Sequence, residues 1–452
     1  MLQYESFFED VKNTVPAYKK FLKRETGTDR VPERFEDLPV ETKQNYLLSF
    51  KMNELCRKED MLQFHLIGAS SGFSKTGAVY WPKRPCDEAG YMQSIESMFV
   101  DNYHIDEKRT LVLVCLAFGM WIGGMQISAA LRNIALTGKY PFTLATPGLD
   151  IKAAVSLING YKDMFSQILI VTNPSNISLF TALLKDENIN LSDGMVSFPV
   201  VGEYFSESFR EHVGKIYGHS MDAPYVVWTG YGSADAGDIG AETESTVALR
   251  KYYYRNPDLS ERMFGTLSTP MILALSSKVY LELIDGNFVV TKDQFIPLIR
   301  YNTGDKGGIL YRKDLLGFIP ENIYVRLPDE MIYVYGRASN AVIFYGTNLM
   351  VNDINEHLLS LDPDFNYGGL FTIREYENKG ITCFDFTVYV TDKEKSSSEK
   401  YHESMIGFLS RQSSEFRLKY QNLSESVKIP LITVHLADIK DIDTKVKHKY
   451  II

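Results

Sequence analysis

Five short stretches of this 452-residue chain carry side chains suited to work on a phosphorylated ligand. The first is SSGFSKTG, residues 70–77. Gly72 and Gly77 let its backbone fold tightly and turn N–H groups toward an anion. The hydroxyls of Ser70, Ser71, Ser74 and Thr76 and the ammonium of Lys75 add donors, which together suit a phosphate cradle. It is not a P-loop, because Ala78 and Val79 stand where that motif needs lysine and Ser/Thr. The second, WTGYGSADAGDIGAE (228–242), sets Asp235 among small residues directly after the apolar run YVVW. The third, PLIRYNTGDKGGIL (297–310), sets Asp305 in a glycine-flanked turn. The fourth, YGRASNAVIFYGTNL (335–349), carries Arg337, and the basic tail DIDTKVKHKYII carries Lys445 and Lys447. Taken singly, each is as well explained by a capped turn, a surface ion pair or a solvated tail.

The elements that must hold these residues are legible as alternating patterns. A short apolar segment, MLQFHLIGA, leads into the first loop. QILIVTNPSNISLFTALL (167–184) and MVSFPVVGEYFSESFREHVGKIYG (195–218) each read as a buried strand, a turn and a helix. Repetition of that unit implies parallel sheets covered on both faces, with ligands held by loops at the carboxyl ends of strands. Residues 111–131, LVLVCLAFGMWIGGMQISAAL, are uncharged and nearly long enough to cross a bilayer. Their β-branched first half, the glycines in the middle and the amphipathic continuation through Arg132 predict instead a buried strand, a turn and a core helix.

From about residue 260 short strands and turns take over, with VYLELIDGNFVV (279–290) patterned as a hairpin around Asp285 and Gly286. Beyond 335–348 a smaller unit is expected: a helix near 352–361, a strand at 381–390, a polar loop, a long helix through 401–421 and a strand at 430–436. The expected architecture is α/β. A large N-terminal domain (1–337) has parallel sheets flanked by helices plus a β-rich subdomain, and a small α+β C-terminal domain (338–452) follows.

Taken together, these stretches resemble the adenylate-forming acyl and aryl acid ligases, most closely the phenylacetate–CoA ligase-like branch. SSGFSKTG is similar to that family's Ser/Thr/Gly-rich phosphate loop, YGSAD to its YGxTE motif, IRYNTGD to its YRTGD motif, and GRASNAVIFYGTN to its hinge segment. FEDLPVETK, near the N-terminus, is similar to the branch's opening segment, so the likeness runs over nearly the whole chain. The resemblance implies ATP and Mg²⁺ as cofactors, an acyl-AMP intermediate and a thiol co-substrate, either CoA or carrier-bound phosphopantetheine. Asp235 matches the acid that helps hold the magnesium. Asp305 matches the carboxylate that accepts the ribose hydroxyls, and Arg337 an arginine near ribose and phosphate. Tyr231 matches an aromatic that lines the family's adenine and acid pockets, and the resemblance implies that Gly232 and Ser233 beside it meet the nucleotide. Gly202 and Glu203 are similar to a segment bordering those pockets, or form a plain strand-to-helix turn. Lys445 aligns best with the lysine that stabilises two anions as they meet in adenylation; Lys447 is the rival.

Several positions depart from the pattern: Phe73 in the phosphate loop, Asn302 before TGD, and Ser339 and Asn340 in the hinge. The acid is expected to be aryl, received by an apolar pocket around Trp121 and Gly123 in FGMWIGGM. Two other readings stay open: an acyl-protein synthetase using a cysteine such as Cys383, and a non-catalytic relative that binds nucleotide.

Composition limits the remaining classes. Lys and Arg total 48 against 57 Asp and Glu, a net charge of −9 without long like-charged blocks, so neither a nucleic-acid surface nor polyanion binding is expected. Four cysteines lie far apart with no CxxC pair, which signals neither a disulfide framework nor a zinc site. The N-terminal residues lack the apolar core of a signal peptide. A cytoplasmic protein is expected, with a small carboxylic acid and an acyl carrier protein as candidate partners, and neither a membrane nor nucleic acid.

Overall fold

The computed structural model describes residues 3–28, 32, 34–69, 80–266, 269–337, 341–344, 347–361, 366–378, 381–426, 430–442 and 448–452. The chain forms two compact units. The first comprises Met1–Gly148, Thr229–Val247 and Ile272–Tyr335, and the second Leu149–Trp228, Ala248–Met271 and Gly336–Ile452.

In the first unit seven strands are hydrogen-bonded in the order Tyr280–Ile284, Asn287–Lys292, Leu298–Tyr311, Glu330–Arg337, Met271–Leu275, Gly237–Ala241 and Val227–Ser233. The hairpin expected at Asp285 and Gly286 is present. Both residues take positive φ, 50° and 74°, as a two-residue turn matched to the strand twist requires. Thr110–Val114 pairs in parallel with Phe142–Ala145, and all five residues of Thr110–Val114 are buried, as a strand covered on both faces demands. The uncharged 111–131 segment therefore resolves into that strand, a turn and the helix Ile122–Thr137. No helix among the described residues is long and apolar enough to cross a membrane. The turn depends on Gly124, where an added Cβ would lie 2.0 Å from the Ala117 carbonyl oxygen.

In the second unit Gln167–Val171 and Val196–Val200 form a parallel pair, each followed by its helix, Pro174–Asp186 and Glu207–Ile216. Both helices start as the sequence directs. Pro174 opens the first turn of one, and the Ser206 hydroxyl accepts from the Phe209 N–H (3.2 Å) at the start of the other. Further along, Tyr367–Asn378 and Ile381–Val390 pair antiparallel, and Ile432–Asp438 joins Ile381–Val390 in parallel. The helices Val351–Ser360 and Ser398–Gln412 pack on this three-stranded sheet. The expected long helix at 401–421 is two helices, Ser398–Gln412 and Ser414–Ser426. Ser413 is extended between them, and its hydroxyl accepts from the Phe416 N–H (3.2 Å). A serine that caps locally competes with helical continuation, and here the cap prevails.

A buried ionic group marks the N-terminal end of Glu207–Ile216. Glu207 Oε2 lies 3.2 Å from Arg210 Nη1 and 3.7 Å from Arg250 Nε, and Arg250 Nη2 donates to the Phe205 carbonyl (2.6 Å). The helix Val351–Ser360 packs against Glu207–Ile216 and carries Glu356. Burial, then the nearby Asp353 and Glu207, push the Glu356 carboxyl up to about 8, against the opposing pull of Arg250.

Candidate active site

Two tyrosine–aspartate bonds gather the predicted residues of the first unit. The Tyr231 hydroxyl donates to Asp305 Oδ2 (2.7 Å), and the Tyr301 hydroxyl donates to Asp235 Oδ2 (2.6 Å). Tyr231 and Asp235 belong to one hairpin, Val227–Ser233 with Gly237–Ala241; Tyr301 and Asp305 belong to one strand, Leu298–Tyr311. Asp235 and Asp305, 70 positions apart in sequence, are thereby brought to one place on the sheet.

Local sequence explains how the hairpin presents Asp235. Ser233 pairs with Gly237, leaving Ala234, Asp235 and Ala236 as the turn. Gly237 has φ 64°, the left-handed residue that ends a three-residue hairpin loop. The Ser233 hydroxyl accepts from the Ala236 N–H (3.0 Å), so it closes the turn. Gly232 lies so near the opposite strand that a Cβ there would sit 2.2 Å from the Gly237 carbonyl oxygen. Gln294 Nε2 donates to the Asp235 carbonyl (2.6 Å), fixing the turn from below. One side-chain oxygen of Asp235 is thus oriented by Tyr301, and Oδ1 remains a hard acceptor.

Asp305 is placed by a bulge. Across the pair Asn287–Lys292 and Leu298–Tyr311, Val289 faces Asn302 and Asn287 faces Lys306, so two residues span what four span opposite. Within the bulge Gly304 takes φ 78°, its N–H donates to Asn302 Oδ1 (2.8 Å), and the Asp305 N–H donates to Thr303 Oγ1 (3.2 Å). The segment NTGD therefore builds its own turn from side-chain acceptors. Asp305 sits in this glycine-flanked turn within a long strand, buried at 7% exposure.

Beside the Asp235 turn, Lys292 Nζ donates to the carbonyl (2.5 Å) and Oδ1 (3.1 Å) of Asp238. Burial opposes both charges. For Asp238 the lysine outweighs it and holds the carboxyl below the usual range, whereas for Lys292 burial prevails and pulls the ammonium down.

Trp121 is half-exposed at the start of Ile122–Thr137 and forms a parallel bridge with Ala69, the last residue of the strand Leu66–Ala69. The Ala69 N–H donates to the Met120 carbonyl (2.5 Å), so the Trp121 turn lies against Ala69. Gly123 is exposed, with no atom of the described residues within 4 Å of an added Cβ.

Gly202 (φ 84°) and Glu203 belong to the second unit, where the Glu203 carboxylate accepts from the N–H (3.0 Å) and hydroxyl (3.1 Å) of Ser175. It caps the first turn of the helix Pro174–Asp186. Arg337 ends the strand Glu330–Arg337. Ser70, Ser71, Gly72, Phe73, Ser74, Lys75, Thr76, Ser339, Asn340, Lys445 and Lys447 lie outside the described residues. Cys383 is fully buried, and burial raises its thiol above the ordinary value, which suits a core thiol better than a nucleophile.

No protein-family profile matches the chain, and no curated protein does. Solved structures do. A 2-hydroxyisobutyryl-CoA ligase in the postadenylation state, bound to R3-HIB-AMP, is similar with a TM-score of 0.67 at 14% identity, covering 99% of this chain and 87% of that one. The chain has the adenylate-forming ligase fold. The acyl acid amido synthetase AtGH3.15 in complex with 2,4-DB is similar with a TM-score of 0.57 at 12% identity, covering 96% and 89%. The same CoA ligase in complex with 2-HIB-AMP and CoA, in its thioesterification state, is similar with a TM-score of 0.51 at 15% identity, covering 99% and 87%.

The Asp235 carboxylate could hold a magnesium ion together with the phosphates of a nucleotide. Magnesium in such sites is held by one or two carboxylates and by substrate phosphates rather than by a cage of protein ligands. Asp235 offers one oriented carboxylate, and no cluster of three or more metal-ligating side chains occurs among the described residues.

Proposed function

We propose that this chain activates a carboxylic acid with ATP and Mg²⁺, forming an acyl-adenylate with release of pyrophosphate, and then passes the acyl group to a thiol. The observation that carries this reading is the pair of bonds Tyr231–Asp305 and Tyr301–Asp235. They join the two carboxylates for which the sequence resemblance implies ribose and magnesium roles. In this reading Asp305 accepts from the ribose, Asp235 holds the metal against the phosphates, and the 70–77 loop donates to the phosphates. Lys445 neutralises the two anions that meet at the α-phosphate. Arg337 lies at the junction with a small mobile domain, 338–452.

CoA or a carrier-bound phosphopantetheine is the acceptor, supported by the CoA and acyl-AMP complexes of a similar structure. The acid is aryl, bounded by the Trp121 turn and the exposed Gly123, and the chain is a cytoplasmic member of the phenylacetate–CoA ligase-like branch. The test is acid-dependent pyrophosphate release over a panel of aryl, fatty, hydroxy and amino acids. Trapping with hydroxylamine, CoA or an amine identifies the acceptor. Preference for a non-aryl acid would remove the aryl assignment, and transfer to an amine with none to CoA would remove the thiol.

A further inference from the structure

The strand Leu298–Tyr311 carries a second bulge at Arg300, directly before Tyr301, whose hydroxyl donates to Asp235. Lys292 faces Leu298 and Val290 faces Tyr301, so one extra residue lies on the Arg300 side. Arg300 has φ 52°, a left-handed conformation that a side chain with a Cβ avoids and that persists only where the surroundings impose it.

Those surroundings are specific. The Arg300 N–H donates to Thr291 Oγ1 (2.9 Å) and its carbonyl accepts from the Glu41 N–H (3.0 Å). The residue is 5% exposed; its Nε donates to Glu282 Oε1 (3.2 Å) and Oε2 (3.0 Å), and Nη1 donates to the carbonyls of Glu36 (2.5 Å) and Leu38. Glu41 Oε2 accepts from the Ile299 N–H (3.1 Å), and the Asn302 N–H donates to the Glu41 carbonyl (2.9 Å). The N-terminal strap 36–41 and Glu282 therefore grip both sides of the residue that precedes Tyr301.

We propose that Arg300 is a positioning residue: anchored by Glu282 and the 36–41 strap, it holds the left-handed bulge that aims the Tyr301 hydroxyl at Asp235. The proposal rests on the adenylating reading for its effect on magnesium but not for its geometry. A bulge re-aims the side chain that follows it, and a strained residue gripped by four acceptors beside a metal-holding carboxylate is where such strain serves the site. Without the grip, the backbone relaxes to a regular register and Tyr301 turns away from Asp235.

The test uses the full chain with Arg300→Ala, Tyr301→Phe and the double variant. Arg300→Ala and Tyr301→Phe each raise the Mg²⁺ concentration for half-maximal pyrophosphate release about tenfold while leaving the KM for the acid unchanged, and the double variant is no worse than Tyr301→Phe alone. Independent, multiplying effects would overturn the proposal. A second readout needs no activity. In protein labelled with 3-fluorotyrosine, the fluorine resonance of Tyr301, assigned by its loss in Tyr301→Phe, moves in Arg300→Ala; an unmoved resonance would overturn the proposal even in a chain that adenylates nothing. Should Arg300→Ala not fold, Glu282→Gln weakens the same anchor and moves the resonance in the same direction. If wild type releases no pyrophosphate but the resonance still moves, the adenylating reading fails and the positioning role stands.

Discussion

Removing one hydroxyl, in Tyr231→Phe, separates a ligand-binding role for Asp305 from a purely structural one. The bond lost is 2.7 Å long and ends on a carboxylate. Hydrogen bonds to charged groups contribute about 1.5–3 kcal/mol. At about 1.4 kcal/mol per tenfold, the largest effect on ATP affinity is a loss of roughly 10- to 150-fold. Asp305 feels the missing donor in the free protein as well as in the complex, so only part of that range reaches binding, and about tenfold is expected. The Tyr231 ring keeps its place near Phe288, with centroids 6.1 Å apart, so packing is retained. Stability should fall by no more than about 1–2 kcal/mol. Calorimetric titration with ATP and a thermal melt provide the two measurements. The expected result is a weaker Kd in Tyr231→Phe, a much larger loss in Asp305→Asn, and melting within a few degrees of wild type. If both variants bind ATP like wild type while their melting points drop sharply, Asp305 merely shapes the bulge and the reasoning is wrong.

Other outcomes follow from the same geometry. Glu356 binds its proton more tightly folded than unfolded, so between the ordinary carboxylate range and about 8 the folded state holds an extra proton and stability falls as pH rises. Glu356→Gln should flatten that fall by a few kcal/mol and make the variant the more stable protein at pH 8–9, as urea melts at pH 5 and 8.5 will show. An unchanged pH slope would mean Glu356 is ordinary. Gly232→Ala forces a Cβ to within 2.2 Å of a backbone oxygen, so the Asp235 turn must shift. A stability loss of about 2–4 kcal/mol is expected in denaturant titration, together with reduced Mg²⁺-dependent activity, and a variant with neither defect contradicts the close approach. Lys445→Ala should lose adenylation while melting like wild type. Retained adenylation there, with loss in Lys447→Ala, would transfer the role to Lys447.

Much of the fold is legible in the sequence because its signals are local. The strands Thr110–Val114, Gln167–Val171 and Val196–Val200 are continuous apolar runs, the signature of burial on both faces. The hairpin at Asp285 and Gly286 follows from a turn dipeptide. Asp235 and Asp305 stand out because glycines surround them. The means of holding those acids is not legible, since it depends on partners far along the chain. The extra residue at Arg300 exists only relative to Asn287–Lys292, and its grip comes from Glu36, Leu38 and Glu41, more than 250 positions earlier. Tyr301 stands in the IRYNTGD segment, but nothing in that segment shows that its hydroxyl reaches Asp235, 66 positions earlier. Glu203 is held in the same long-range way: its carboxylate accepts from the N–H and hydroxyl of Ser175, 28 positions earlier.

The central claim is that Asp235 and Asp305 face one magnesium-bound nucleotide on which a carboxylic acid is activated. The most direct measurement is hydroxamate formation with ATP, Mg²⁺ and an acid panel, run on wild type and Asp235→Ala. The account predicts hydroxamate from at least one acid and its near-complete loss in Asp235→Ala with the fold intact. Tight ATP binding with no hydroxamate from any acid, or full activity in Asp235→Ala, would contradict it.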